Sequence, residues 1–286
     1  MLRFLASFFL LLLTGILPSS TNAQSLLWKI EGKGLTAPSY LYGTIHAICP
    51  ADMVITEAMK DAIGNTAQVA LELDLDDPRL VVEMGHYSFM PRDSSLSDLF
   101  SKEDFSYLDG WFRDTVGISL APMSNIRPLF LFGLLIGKAL LCSPKSYEEV
   151  FMAMAKEQGK ETIGIETAEE QLAAFATIPL KEQANMVMEM VRNMDSTRAA
   201  FHTMSELYRA QDIEGLYRFV QNSGIEYGRY DAELLTKRNH IWIPRILEIA
   251  SAKPTYFAVG AGHFAGENGI LALLRKQGLR VTPVLK

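Results

Sequence analysis

Two histidines occupy matching contexts near opposite ends of the chain. The segments SYLYGTIH and TYFAVGAGH each run an apolar stretch into G-x-x-H, ending at His46 and His263. Glycine permits a sharp turn at a strand end, so the histidine that follows can emerge at the carboxyl edge of a sheet, where open α/β folds keep their sites. A third apolar segment, AQVALELD, ends in Glu72 and Asp74, which an extended strand places on one face. A carboxylate in so apolar a stretch needs a cation, a metal or a histidine, because an unpaired buried charge is costly. Two imidazoles and one carboxylate are the minimal ligand set for a catalytic divalent ion that activates water. The same three groups suit metal-free hydrolysis equally, with one histidine as general base and Glu72 orienting it. HExxH and GxSxG are absent from the sequence, which removes the zincin and serine-hydrolase readings.

Positioning these residues requires a sheet. LLWKIEG and SYLYGTIH read as two strands around the turn-rich GKGLTAPS, an antiparallel hairpin or near neighbours. In DMVITEAMKDAIGN, Val54, Ala58 and Ala62 recur at helical spacing, and AQVALELDL then reads as a buried strand. Strand, helix, strand predicts a crossover unit with parallel pairing. From Asp77 to Lys160 the chain is helical in character, with cap-like starts at Ser101 and Ser146 and a very apolar run, PLFLFGLLIG, that reads as a core helix. KETIGIET returns to strand character and Thr167 caps a helix through QLAAFA. Met186, Met188, Met190 and Met194 read as core packing. PTYFAVGAGHF, ENGILALLRKQ and LRVTPV close the chain as strand, helix and strand. The expected fold is α/β: a mixed central sheet built from both chain ends, flanked by helices, with a helical insertion in the middle.

With 49% hydrophobic and 21% charged residues, the 286-residue chain has the composition of a packed globular protein. Its net charge of −6 lacks the basic footprint that nucleic acid requires. Arg3, the apolar run Phe8 to Leu17 and the small residues ending at Ala23 read as a signal peptide over residues 1–23, leaving a hydrolase domain over 24–286. The apolar run is short for a membrane span, and no stable span is expected in the mature chain. Export to the periplasm or exterior permits a disulfide, and Cys49 and Cys142 are the two cysteines available for it.

The segments LYGTIH, VALELD, GIETAEEQLAAF, LLTKRNHIW and FAVGAGHFAGENGILALLRKQGLRVTPV resemble, in this order, the TraB/GumN family, which includes the Tiki metalloproteases. The resemblance covers nearly the whole mature chain. It implies metal-dependent proteolysis of a peptide or protein substrate supported by manganese or cobalt, with zinc as an alternative, and it assigns His46, Glu72 and His263 to the centre. The related erythromycin-esterase fold holds metal-independent hydrolases, so that mechanism stays open, as does a protein that binds peptides without cleaving them. Arg238 and Asn239 match the family's Arg-Asn pair. Arg238 either clamps a substrate carboxylate, holds Glu72, or lies on a solvated helix face. Glu166 either supports the site or caps the helix beside Thr167. His86, His202 and His240 lie in helical segments without matching partners and are expected to be structural or exposed. GAGHFAG has GxGxxxG spacing, which departs from the dinucleotide pattern.

Overall fold

The computed structural model describes residues 25–32, 34–222 and 229–285; the expected leader lies outside them. Strands β1 (Leu27–Glu31) and β2 (Ser39–Thr44) lead through α1 (Glu57–Gly64) to β3 (Gln68–Leu71). Four helices follow, α2 (Pro78–Tyr87), α3 (Lys102–Thr115), α4 (Pro128–Leu140) and α5 (Tyr147–Glu157), and then β4 (Glu161–Gly164). After α6 (Ala168–Ala176), α7 (Leu180–Arg192), α8 (Met194–Arg209), α9 (Ile213–Asn222) and α10 (Lys237–Ala252), the chain ends with β5 (Thr255–Gly260), α11 (Ile270–Lys276) and β6 (Arg280–Pro283).

The strands form one sheet in the order β4-β3-β5-β2-β1-β6. β4, β3, β5 and β2 run parallel, while β1 is antiparallel to both β2 and β6. The architecture is thus the mixed α/β sheet expected, with strands from both chain ends and helices between them. β5 is buried at every position, as a central parallel strand covered on both faces should be. It slots between β2 and β3, so the last third of the chain completes the crossover that the first third begins.

Local chemistry sets the helix starts. Ser101, Ser146 and Thr167 each accept from the backbone N–H three residues on, removing an orphan donor from the first turn. α1 starts later than its apolar spacing suggests, because Thr56 caps it; Val54 falls outside and is 46% exposed. α4 buries Leu131, Phe132 and Leu135 in a helical cluster with Leu108, Phe112 and Val187. Among the described residues, no helix is long and apolar enough to cross a membrane.

Two further features bear on the site. β3 stops at Leu71, and the chain bends over Gly164, where a Cβ would stand 2.7 Å from the Asp74 amide nitrogen. Asp74 therefore leaves the sheet into a loop and does not share a face with Glu72, contrary to the strand reading. Cys49 and Cys142 are joined, bridging a sequence separation of 93 residues. Closing so long a loop stabilises the fold by about 4.6 kcal/mol in the chain-entropy account.

Candidate active site

β2, β5 and β3 are neighbours that end at one edge, with Thr44 opposite Gly260 and Leu71 opposite Ala258. His46 follows β2, Glu72 follows β3, and His263 closes a single 3-10 turn, Ala261–His263, after β5. Parallel pairing alone therefore delivers all three to the carboxyl edge of the sheet. Glu72 Oε1 lies 3.9 Å from His46 Nε2 and 3.8 Å from His263 Nε2. The three close over Gly260, whose N–H donates to Glu72 Oε1 at 2.8 Å. A Cβ at Gly260 would stand 3.3 Å from Glu72 Oε1, 3.4 Å from His46 Nε2 and 3.7 Å from His263 Cδ2. The glycine is thus the floor on which the three side chains meet.

Arg238 and Asn239 open α10 directly after a wide π-helical turn, Ala232–Thr236, and both are buried. Such turns widen a helix where a side chain must be re-aimed. Arg238 Nη2 donates to Glu72 Oε2 at 2.7 Å and to Glu166 Oε1 at 2.6 Å. Its Nη1 donates to the Leu234 carbonyl at 2.9 Å and faces His263 Nε2 at 3.2 Å. Arg238 accordingly holds Glu72, and the solvated-face reading is overturned: its neighbours are buried carboxylates that need a cation. Glu166 is more than a cap, since its other oxygen accepts from Trp242 Nε1 at 2.9 Å. Gln171 Nε2 reaches both Glu72 at 3.2 Å and Glu166 at 3.1 Å.

Asn239 fixes the second histidine. Its Nδ2 donates to the carbonyls of His263 and Asn268 at 3.2 and 2.8 Å, which turns Oδ1 toward His263 Nδ1 at 2.6 Å. Oδ1 can only accept, so the His263 proton sits on Nδ1 and Nε2 carries the lone pair. Trp242 packs on the His263 ring, centroids 4.4 Å apart. Burial pushes His263 down to about 3, with Arg238 and His46 adding to that fall and Glu72 opposing it. The ring is neutral at ordinary pH. Burial raises the Glu72 carboxyl, but its interactions with His263, which gains charge only in the acid range where Glu72 itself titrates, with His46 and with Arg238, together with the Gly260 N–H, overcome that and bring Glu72 to about 2.

His46 is its opposite. Solvent reaches 66% of its side chain, and its Nδ1 bonds Glu148 Oε1 at 2.9 Å. Desolvation by the neighbouring protein lowers its proton affinity, but the bond to Glu148 and the charges of Glu72 and Glu148 win, raising it to about 9. Screening by solvent trims that rise. Glu148 was not singled out from sequence, where SYEE reads only as a helix start. Trp242 was also missed, although its place four residues after Arg238 puts it on the same helix face. His86, His202 and His240 are exposed, and His202 and His240 face only Glu206 and Asn268, away from the site.

Among the described residues, no three His, Cys, Asp or Glu side chains stand as a ready-made ligand cluster. The donor chemistry still suits a divalent ion: two imidazole nitrogens face one carboxylate oxygen. The charge balance points the same way. Glu72, Glu148 and Glu166 are buried, and Arg238 is the one buried guanidinium among the described residues. The surplus negative charge calls for a further cation, either the His46 proton or a metal. Against an ion stands the guanidinium already at His263 Nε2.

A family sequence profile matches residues 26–283 of this chain, that of the TraB/PrgY/gumN family. The chain belongs to the TraB/PrgY/gumN family. It is 24% identical to the Danio rerio protein named Metalloprotease TIKI2 over 321 aligned positions, which take in 92% of this chain and 61% of that protein. It is likewise 24% identical to the Homo sapiens protein named Metalloprotease TIKI1, covering 92% of this chain and 63% of that one. The chain spans about three fifths of the length of the curated relatives it matches. No solved structure matches it.

Proposed function

We propose that this TraB-family chain is an exported peptidase-type hydrolase whose working groups are His46, Glu72 and His263. The observation that carries the reading is the meeting of two imidazole Nε2 atoms on one ionised carboxylate oxygen at the carboxyl edge of the sheet. Relatives named metalloproteases support a peptide or protein substrate. In this reading His46, Glu72 and His263 hold a divalent ion, manganese, cobalt or zinc. Such an ion supplies a Lewis acid for the scissile carbonyl and lowers the pKa of water. Arg238 keeps Glu72 ionised, Asn239 keeps the His263 lone pair on Nε2, and the exposed His46 Nε2 meets the substrate side of the cleft. We read residues 24–286 as one hydrolase domain that works in the periplasm or outside the cell. The Cys49–Cys142 bridge suits such an oxidising compartment.

A second reading rests on the Arg238 contact. Because Arg238 already occupies His263 Nε2, a metal-free mechanism leaves His46 as the proton carrier, with Glu72 orienting it. Elemental analysis of protein purified without chelator, with turnover of a peptide library read by mass spectrometry, decides between the two. Bound metal and loss of turnover in chelator support the metallopeptidase; undiminished turnover by metal-free protein supports the second. No turnover under any condition leaves a peptide-binding protein.

A further inference from the structure

Glu148 is the buried carboxylate of this region that Arg238 does not serve. It comes from the first turn of α5, and 9% of its side chain is exposed. Its Oε1 accepts from Thr44 Oγ1 at 2.6 Å and meets His46 Nδ1 at 2.9 Å. Among the described residues its Oε2 has no hydrogen-bond partner. The hydrogen bonding of this carboxylate is therefore spent at the end of β2. Glu148 Oε1 already accepts from Thr44 Oγ1, and an ionised carboxylate oxygen cannot donate. The proton in the contact with His46 accordingly belongs to Nδ1.

The approach is secured from both sides. Ile48 and Lys145 exchange two backbone hydrogen bonds, at 3.0 and 2.9 Å, which pair the stretch after His46 with the stretch before α5. Cys49 and Cys142 join the same two stretches covalently. Two independent ties thus hold the His46 segment against the start of α5. An acid that merely opened a helix would need neither.

We propose that Glu148 is the positioning residue of His46: by accepting the Nδ1 proton it orients the ring and presents Nε2 to Glu72. This rests on the reading of His46 as a working group. It adds a residue from the helical insertion to a site otherwise built from the sheet and α10. His263 has the same arrangement by other means, with the neutral Asn239 in place of a carboxylate. A carboxylate behind an imidazole raises the basicity of its far nitrogen more than an amide does.

The test reads the ring directly. Protein labelled with nitrogen-15 in histidine and stripped with chelator, because an ion on Nε2 would hold the proton on Nδ1 in every variant, is examined by long-range proton–nitrogen spectra at alkaline pH, where His46 is neutral; His46→Ala assigns the signals. Wild type and Glu148→Gln should carry the His46 proton on Nδ1, because the amide oxygen also accepts. Glu148→Ala should move it to Nε2, the form free imidazole prefers. Peptide turnover should fall about 10- to 100-fold in Glu148→Ala, in kcat rather than KM, and recover largely in Glu148→Gln. If Glu148→Ala fails to fold, Glu148→Asp withdraws the carboxylate by one methylene and should shift the proton in the same direction. An Nδ1 proton that persists in the Ala or Asp variant overturns the proposal, as does a folded Gln variant as impaired as Ala. Should wild type cleave no peptide, the peptidase reading falls and the tautomer result still decides the role of Glu148.

Discussion

The two G-x-x-H strand ends began as near copies in sequence and finish as chemical opposites. His46 has 66% of its side chain exposed and a carboxylate behind it, and it is raised to about 9. His263 has 4% exposed, an amide behind it and a guanidinium at its face, and it is pushed down to about 3. At neutral pH, with no metal bound, one ring carries a positive charge and the other does not. The motif places an imidazole at the sheet edge; the neighbours brought in by α5 and α10 decide what that imidazole can do.

The largest expected effects come from removing each ring in turn. His46→Ala and His263→Ala should each lower peptide turnover by about 100- to 10,000-fold. They should part company in urea denaturation. His263→Ala opens a cavity under Trp242 and strands Asn239 Oδ1, a loss of about 2–4 kcal/mol. His46→Ala opens no core cavity but leaves the buried Glu148 carboxylate without its partner, so its loss should shrink when Glu148→Gln is added, whereas the His263→Ala loss should not. Losses that respond alike to Glu148→Gln would break the contrast between the two sites.

Arg238→Met tests what surrounds the buried ring. It leaves Glu72 and Glu166 buried without their cation, and breaking a buried pair from one side destabilises by about 3–5 kcal/mol. A variant of wild-type stability would show that another cation occupies the site. Gly260→Ala tests the shared floor. Its methyl would crowd Glu72, His46 and His263 together, so turnover should fall about 10- to 100-fold while the melting temperature stays near wild type. A fully active alanine variant would show that the three groups do not need that space.

The smallest effect concerns an exposed relative of the buried network. Glu170, in the first turn of α6 four residues after Glu166, pairs at 2.6 Å with Arg245, about two turns along α10 from Arg238, and 38% of its side chain is exposed. The hydrogen bond from Arg245 is the main cause that brings Glu170 down to about 2, against desolvation. A carboxyl lowered on folding stabilises the fold above its unfolded value of about 4.3, and that stabilisation is lost as pH falls toward 2. Solvent screening reduces it to under about 1 kcal/mol. Stability curves of wild type and Glu170→Gln should differ at pH 7 and converge near pH 2. A gap that survives at pH 2 would mean the pair acts through packing rather than charge.

The sheet edge was legible from local pattern. Apolar strands ending in glycine, the caps at Ser101, Ser146 and Thr167, and the carboxylate at Glu72 all follow from spacing along a few residues. Asp74 was misplaced because a strand read from alternation has no reason to stop; the stop lies in Gly164, a residue of another strand that allows the chain to bend close over it. Arg238 and Asn239 were readable as candidates, yet nothing local separates a buried guanidinium from a surface one, since both sit on a helix of mixed polarity.

The sequence by itself determined that two imidazoles and a carboxylate would stand at strand ends, because backbone period and glycine act over a few residues. Tertiary structure decided that β5 enters between β2 and β3, which is what makes those ends adjacent. It also decided the charge state of each ring. His46 meets Glu148 across 102 residues of chain, and His263 meets Asn239 across 24. Proton affinity depends on burial and on charges within a few ångströms, and those distances exist only once distant segments have packed.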